Sequence, residues 1–78
     1  MTVGAFFYPN ASGYSDRIEN PDPYQTYNIT IRSGLVDNQT NSTVTLYSLP
    51  DCRGDSQYLN SNTSAYISTS FESFRFTT

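Results

Sequence analysis

A chain of 78 residues with a net charge of −3 and 36% apolar residues reads as one small domain, rich in polar side chains. At that length only about 60% of the unfolded surface is buried on folding, which leaves no room for a cleft between domains. The basic residues are four dispersed arginines, at 17, 32, 53 and 75, so neither nucleic acid nor an anionic membrane meets a basic face.

The polarity does not spell disorder: 15% of residues are aromatic and only 14% charged, the reverse of a disordered composition. No run of about 18 apolar residues is present, so no helix is expected to cross a bilayer. Apolar residues alternate in short bursts between Gly, Pro, Asn and Asp clusters, the pattern of strands separated by turns.

In chain order, Val3, Ala5 and Phe7 predict a first strand with Phe7 facing the core. It closes at Pro9-Asn10, and Gly13 follows Tyr8 in the turn. Ile18 marks a second strand, ended by Asn20-Pro21-Asp22-Pro23. Ile29 and Ile31 predict a strand over 28–34, and the stretch 35–42 reads as a polar linker. Val44 and Leu46 open the next strand, which runs into a turn at Pro50-Asp51. Leu59, Ile67, Phe74 and Phe76 complete the expected core, with Phe74 and Phe76 on a last strand over 72–78.

Residues 4–20 repeat in 44–60: Phe7-Tyr8 falls on Leu46-Tyr47, Gly13 on Gly54, Ser15 on Ser56 and Ile18 on Leu59. Two copies of about four strands follow, motif one over 1–34 and motif two over 43–78. Neither buries its apolar face alone, so the two are expected to pack as a sandwich. A glycine after an aromatic strand end supplies a backbone conformation with φ > 0, which makes Tyr8, Gly13, Tyr47 and Gly54 the structural residues of two hairpins.

Tyr47-x6-Gly54, with Ser73 ahead of Phe74-Arg75-Phe76, resembles the βγ-crystallin family. In the first half Phe6-x6-Gly13 has the same spacing, Tyr8 lies closer to Gly13, and Asn28 stands where the family has Ser. The resemblance implies an all-β fold of two Greek-key motifs in a sandwich. It also implies a calcium motif before each last strand. Here that motif is degenerate: Ser70, Glu72 and Ser73 remain as metal candidates, with no leading acids, and Tyr27 replaces the hydroxyl donor in the first half. A hard cation prefers several carboxylates, so the cofactor expectation is none, or a weakly held calcium ion.

Asn10, Asn28, Asn38, Asn41 and Asn62 each begin an N-glycosylation sequon. Their number points to a secreted glycoprotein, with Met1 in place of a removed signal; an unglycosylated Ser/Thr/Asn-rich protein is the other reading. Cys52 is the sole cysteine and lies in a turn, where an exposed thiol would allow a disulfide-linked homodimer. Arg53-Gly54-Asp55 is read as hairpin geometry rather than a recognition loop.

Without histidine the chain has no material for a triad or a His–metal site. The acids Glu19, Asp22, Asp51 and Asp55 sit in turns, so no enzyme is expected. Tyr14, Tyr24 and Tyr27 are candidates for contacting a protein or carbohydrate partner. The reading is a structural or binding protein; the alternatives are a killer-toxin-like or antimicrobial defence protein and an inhibitor of a secreted hydrolase.

Overall fold

The computed structural model describes residues 2–77 and contains eight strands. They are β1 (Gly4–Pro9), β2 (Ser15–Glu19), β3 (Thr26–Tyr27), β4 (Gly34–Thr40), β5 (Thr43–Leu49), β6 (Arg53–Leu59), β7 (Thr63–Ile67) and β8 (Ser73–Thr77). Every pairing is antiparallel, in two four-stranded sheets of order β2-β1-β4-β7 and β3-β8-β5-β6. The third strand of each half therefore lies at the edge of the other half's sheet. The fold is all-β and sandwich-like, as the alternating pattern predicts.

The core between the sheets is an aromatic cluster centred on Phe74. Its ring lies 5.4 Å from Phe6, 5.9 Å from Tyr8, 5.4 Å from Tyr27 and 5.9 Å from Phe76. Ile31, Val36, Val44, Leu46, Ile67 and Phe71 complete the buried set. Ile18, Ile29 and Leu59, expected in the core, pack against it while half-buried.

Phe7 is a correction. Phe6 and Tyr8 point inward, and Phe7 faces outward with Arg17 and Asp37 as its cross-strand neighbours. Three aromatic residues in succession fit either phase of a strand, and sheet pairing selects one. The repeat shifts with it. Arg32 N–H donates to the Pro9 carbonyl (3.0 Å) as Glu72 N–H donates to that of Tyr47 (2.9 Å), so Pro9, not Tyr8, corresponds to Tyr47.

The expected linker 35–42 is also corrected, since most of it is strand β4. Its polar look comes from two sources. Asp37 and Gln39 face solvent, whereas Asn38 and Thr40 are buried and fully engaged. The expected strand over 28–34 reduces to the isolated bridge between Ile31 and Phe71.

Asn38 is wholly buried. Its Nδ2 donates to the carbonyls of Ser42 (2.8 Å), Leu59 (3.2 Å) and Asn60 (3.1 Å), and its Oδ1 accepts from Thr40 N–H (3.2 Å) and Thr40 Oγ1 (2.6 Å). Removing the side chain leaves buried carbonyls without a donor, at a cost of about 1–3 kcal/mol. Asn38→Ala is expected to lower the thermal midpoint by at least about 4 °C, with exposed Gln57→Ala nearly neutral. An Asn38→Ala midpoint equal to that of Gln57→Ala would contradict this role.

Burial, reinforced by the Asp16 carboxylate, raises the Tyr8 phenol above its ordinary value of 10.0. The folded chain then holds that proton more tightly than the unfolded one. Its contribution to stability is complete below the unfolded value and is lost as pH rises through the raised folded value. Tyr8→Phe should flatten the fall of the melting midpoint above about pH 10; parallel pH profiles for the two proteins would refute the assignment.

Candidate functional site

A polar site with several of the candidate residues lies at the β5–β6 turn. Ser73 is fully buried. Its Oγ donates to the Leu49 carbonyl at 2.6 Å and accepts from Cys52 N–H at 3.0 Å, pinning the turn over the sheet. Asp51 and Cys52 take positive φ of 61° and 57° to make the fold-back, and Gly54 follows at 81°. A Cβ on Gly54 would collide with Ser48 Oγ, which instead accepts Asp55 N–H at 2.9 Å. Arg53-Gly54-Asp55 thus begins β6 and serves the hairpin.

Asn28 exchanges two hydrogen bonds with the same turn: its Nδ2 donates to Asp51 Oδ1 (3.0 Å) and its Oδ1 accepts Asp51 N–H (2.8 Å). The Cys52 thiol is half-buried and turned toward Thr26 Oγ1 at 3.6 Å. A disulfide between two copies would have to replace that contact.

The metal candidates divide. Ser70 and Glu72 are exposed, whereas Ser73 is buried and already bonded. Among the described residues no group of three or more His, Cys, Asp or Glu side chains is placed to hold a metal ion. Glu19 sits beside Arg17 at 3.6 Å on the exposed strand β2.

Of the sequon asparagines, Asn38 is excluded as a glycan acceptor in the folded chain, because its amide is wholly buried. Asn28, Asn41 and Asn62 are exposed and Asn10 half-buried. Asn10 Oδ1 accepts from Ser12 and Tyr14 N–H, both at 3.0 Å, which shapes the short β1–β2 turn around Gly13.

Tyr27 is a further correction, since it stacks on Phe74 with ring planes 12° apart and belongs to the core. The Arg75 guanidinium lies over the Tyr24 ring at 5.5 Å, and Tyr14 is exposed. The sequence pattern missed a larger feature on the outer face of the β2-β1-β4-β7 sheet. A groove of about 480 Å³ opens there, lined by Phe7, Pro9, Ser15, Leu35, Asp37 and Gln39 among others. Leu35 pairs across strands with Tyr66, which is 81% exposed. The one sequence signal for it was the apolar Phe7 and Pro9 in alternation, hidden by the misassigned strand phase.

The two halves differ in how they treat this face. Between the pairs Pro9↔Ser15 and Tyr47↔Ser56 the first turn spans residues 10–14 and the second residues 48–55. The longer turn folds back and covers Ser73. The shorter one closes on itself through Gly13 N–H to the Asn10 carbonyl (2.9 Å), and Ser33, at the position matching Ser73, is exposed.

Ser73→Ala is expected to cost about 1–3 kcal/mol, because the Cys52 amide and the Leu49 carbonyl lose their shared partner. Gly54→Ala should cost a comparable amount through the positive φ. Chemical denaturation of both variants checks this, and wild-type midpoints would show that the turn is not held as described.

No family model, curated protein or solved structure matches the chain.

Proposed function

We propose that the protein is a small, secreted, non-catalytic binding domain of βγ-crystallin-like build, in which the calcium motif has become structural. The two sheet orders support two Greek-key motifs that exchange their third strands. Exposed or half-buried asparagines in four of the five sequons are compatible with export.

The observation that carries the functional reading is the division of labour between the turns. The polar groups of the second half, Ser73, Asp51 and Asn28, are spent on holding the fold-back turn. A cation at Ser73 would have to displace the contacts to Leu49 and Cys52. An open surface instead lies on the other sheet, where exposed Leu35 and Tyr66 are cross-strand neighbours and half-buried Phe7 lines the same groove as Leu35. Recognition by that surface needs no metal and no catalytic acid.

A melt in EDTA and then in calcium tests this. A site with a Kd of about 1 mM, given about 5 mM calcium, would add about 1 kcal/mol and raise the midpoint by about 4–8 °C. We expect no shift. A rise of that size that Glu72→Ala abolishes would restore a calcium-binding role.

A further inference from the structure

We infer that the groove on the outer face of the β2-β1-β4-β7 sheet binds a neutral carbohydrate. The inference rests on the binding reading above and names its ligand class.

Strand alternation builds the site. Phe7 and Pro9 project outward from β1, and Leu35, Asp37 and Gln39 project outward from β4. The β4–β7 register then sets Tyr66 directly beside Leu35. The result is an apolar strip bordered by a planar carboxylate and a planar amide. Gln39 Nε2 donates to Asp37 Oδ2 at 2.6 Å, which orients both groups in advance. The volume of about 480 Å³ is within the usual range of about 300–1,000 Å³ for small-ligand sites.

A pyranose ring matches this arrangement. Its C–H face is apolar and packs on aromatic and aliphatic side chains, while its ring-edge hydroxyls both donate and accept. A carboxylate accepts from such hydroxyls, and an amide both donates and accepts. Adjacent planar groups can therefore take up neighbouring hydroxyls together.

The surroundings disfavour other occupants. Arg17, across from Phe7, is already paired with Glu19 at 3.6 Å, and the chain carries −3 overall; Arg32 reaches the groove only at its Gly13 end, away from Leu35 and Gln39, and the heparin arm of the test reads whether an anion is held there. The Asp37 carboxylate is engaged by Gln39 and has Arg17 one strand beyond Phe7, which weakens its pull on a cation. A peptide adding as a strand needs a free sheet edge, yet the groove lies over β1 and β4, the two inner strands. Any ligand there is read by side chains alone. A second copy would have to desolvate Arg17, Glu19 and Asp37 around a narrow apolar strip.

The test is an amide-shift titration of the intact protein with short neutral oligosaccharides of β-1,4-glucose, β-1,4-N-acetylglucosamine and α-mannose, with a heparin fragment for comparison. One neutral series should shift the amides of Phe7, Leu35, Asp37, Gln39 and Tyr66. Leu35→Ala and Tyr66→Ala change exposed side chains and should weaken that binding at least about tenfold. Tyr58→Ala, on the opposite sheet, should leave it unchanged, with thermal melts confirming that all three variants fold. No shift with any neutral series, binding of heparin alone, or a dimer that Tyr66→Ala dissolves would each overturn the proposal. Neutral binding that maps to Tyr58 would also overturn the groove, yet would leave the protein a calcium-independent binder. A calcium-dependent midpoint would sink the broader reading by itself.

Discussion

One buried amide governs how the two sheets are joined. Asn38 sits on β4, and its contacts reach two of the five places where the chain crosses between sheets: the step from β4 to β5 at Ser42, and the step from β6 to β7 at Leu59 and Asn60. Two N–H groups shared among three carbonyls give the Ser42, Leu59 and Asn60 backbone a partner at these crossings. Around it Ser61 Oγ donates to the Thr40 carbonyl at 2.8 Å, and the Thr2 and Ser42 hydroxyls meet at 2.8 Å. The crossings turn sharply because these polar groups replace the ladder hydrogen bonds lost there.

The exchange of β7 follows from the β6–β7 crossing, and that of β3 from the crossings on either side of it. β7 leaves its own half to pair with β4, and β3 reaches across to β8. Each sheet is thus completed by the other half, and the Ile31–Phe71 bridge joins the halves where the two approaches meet. Neither repeat forms a closed layer alone, so the Phe74-centred cluster assembles only when both are present. Such pairing is long-range, which places this fold among those that pay loop closure before contacts reward it.

Within this frame the two halves diverge through the length of one turn. The longer β5–β6 turn has enough chain to fold back, and Ser73, Asn28 and the Gly54 backbone lock it down. The shorter β1–β2 turn has no chain to spare, and the face beside it stays open. The groups that look most chemical in isolation, a serine in a metal motif, a lone thiol and an Arg-Gly-Asp triplet, are thereby absorbed into architecture. On the proposed reading, recognition falls to side chains with ordinary structural credentials: Phe7, Leu35, Asp37, Gln39 and Tyr66.

Composition and alternation were sufficient for the all-β class, for strands near β1, β2, β5 and β8, for most of the core and for the hairpin role of Gly54. These are properties of local pattern: period-2 hydrophobicity, turn chemistry and the need for φ > 0. The phase of Phe6-Phe7-Tyr8 was not legible, because each aromatic suits either face until β2 and β4 pair with β1. Nor was β4, whose inward Asn38 and Thr40 look like loop residues until buried carbonyls satisfy them. The groove depended on both, since it exists only where the outward sides of β1, β2 and β4 come into register. Residues far apart in the chain share that surface, and only the packing of the sheets could decide which of their faces met solvent.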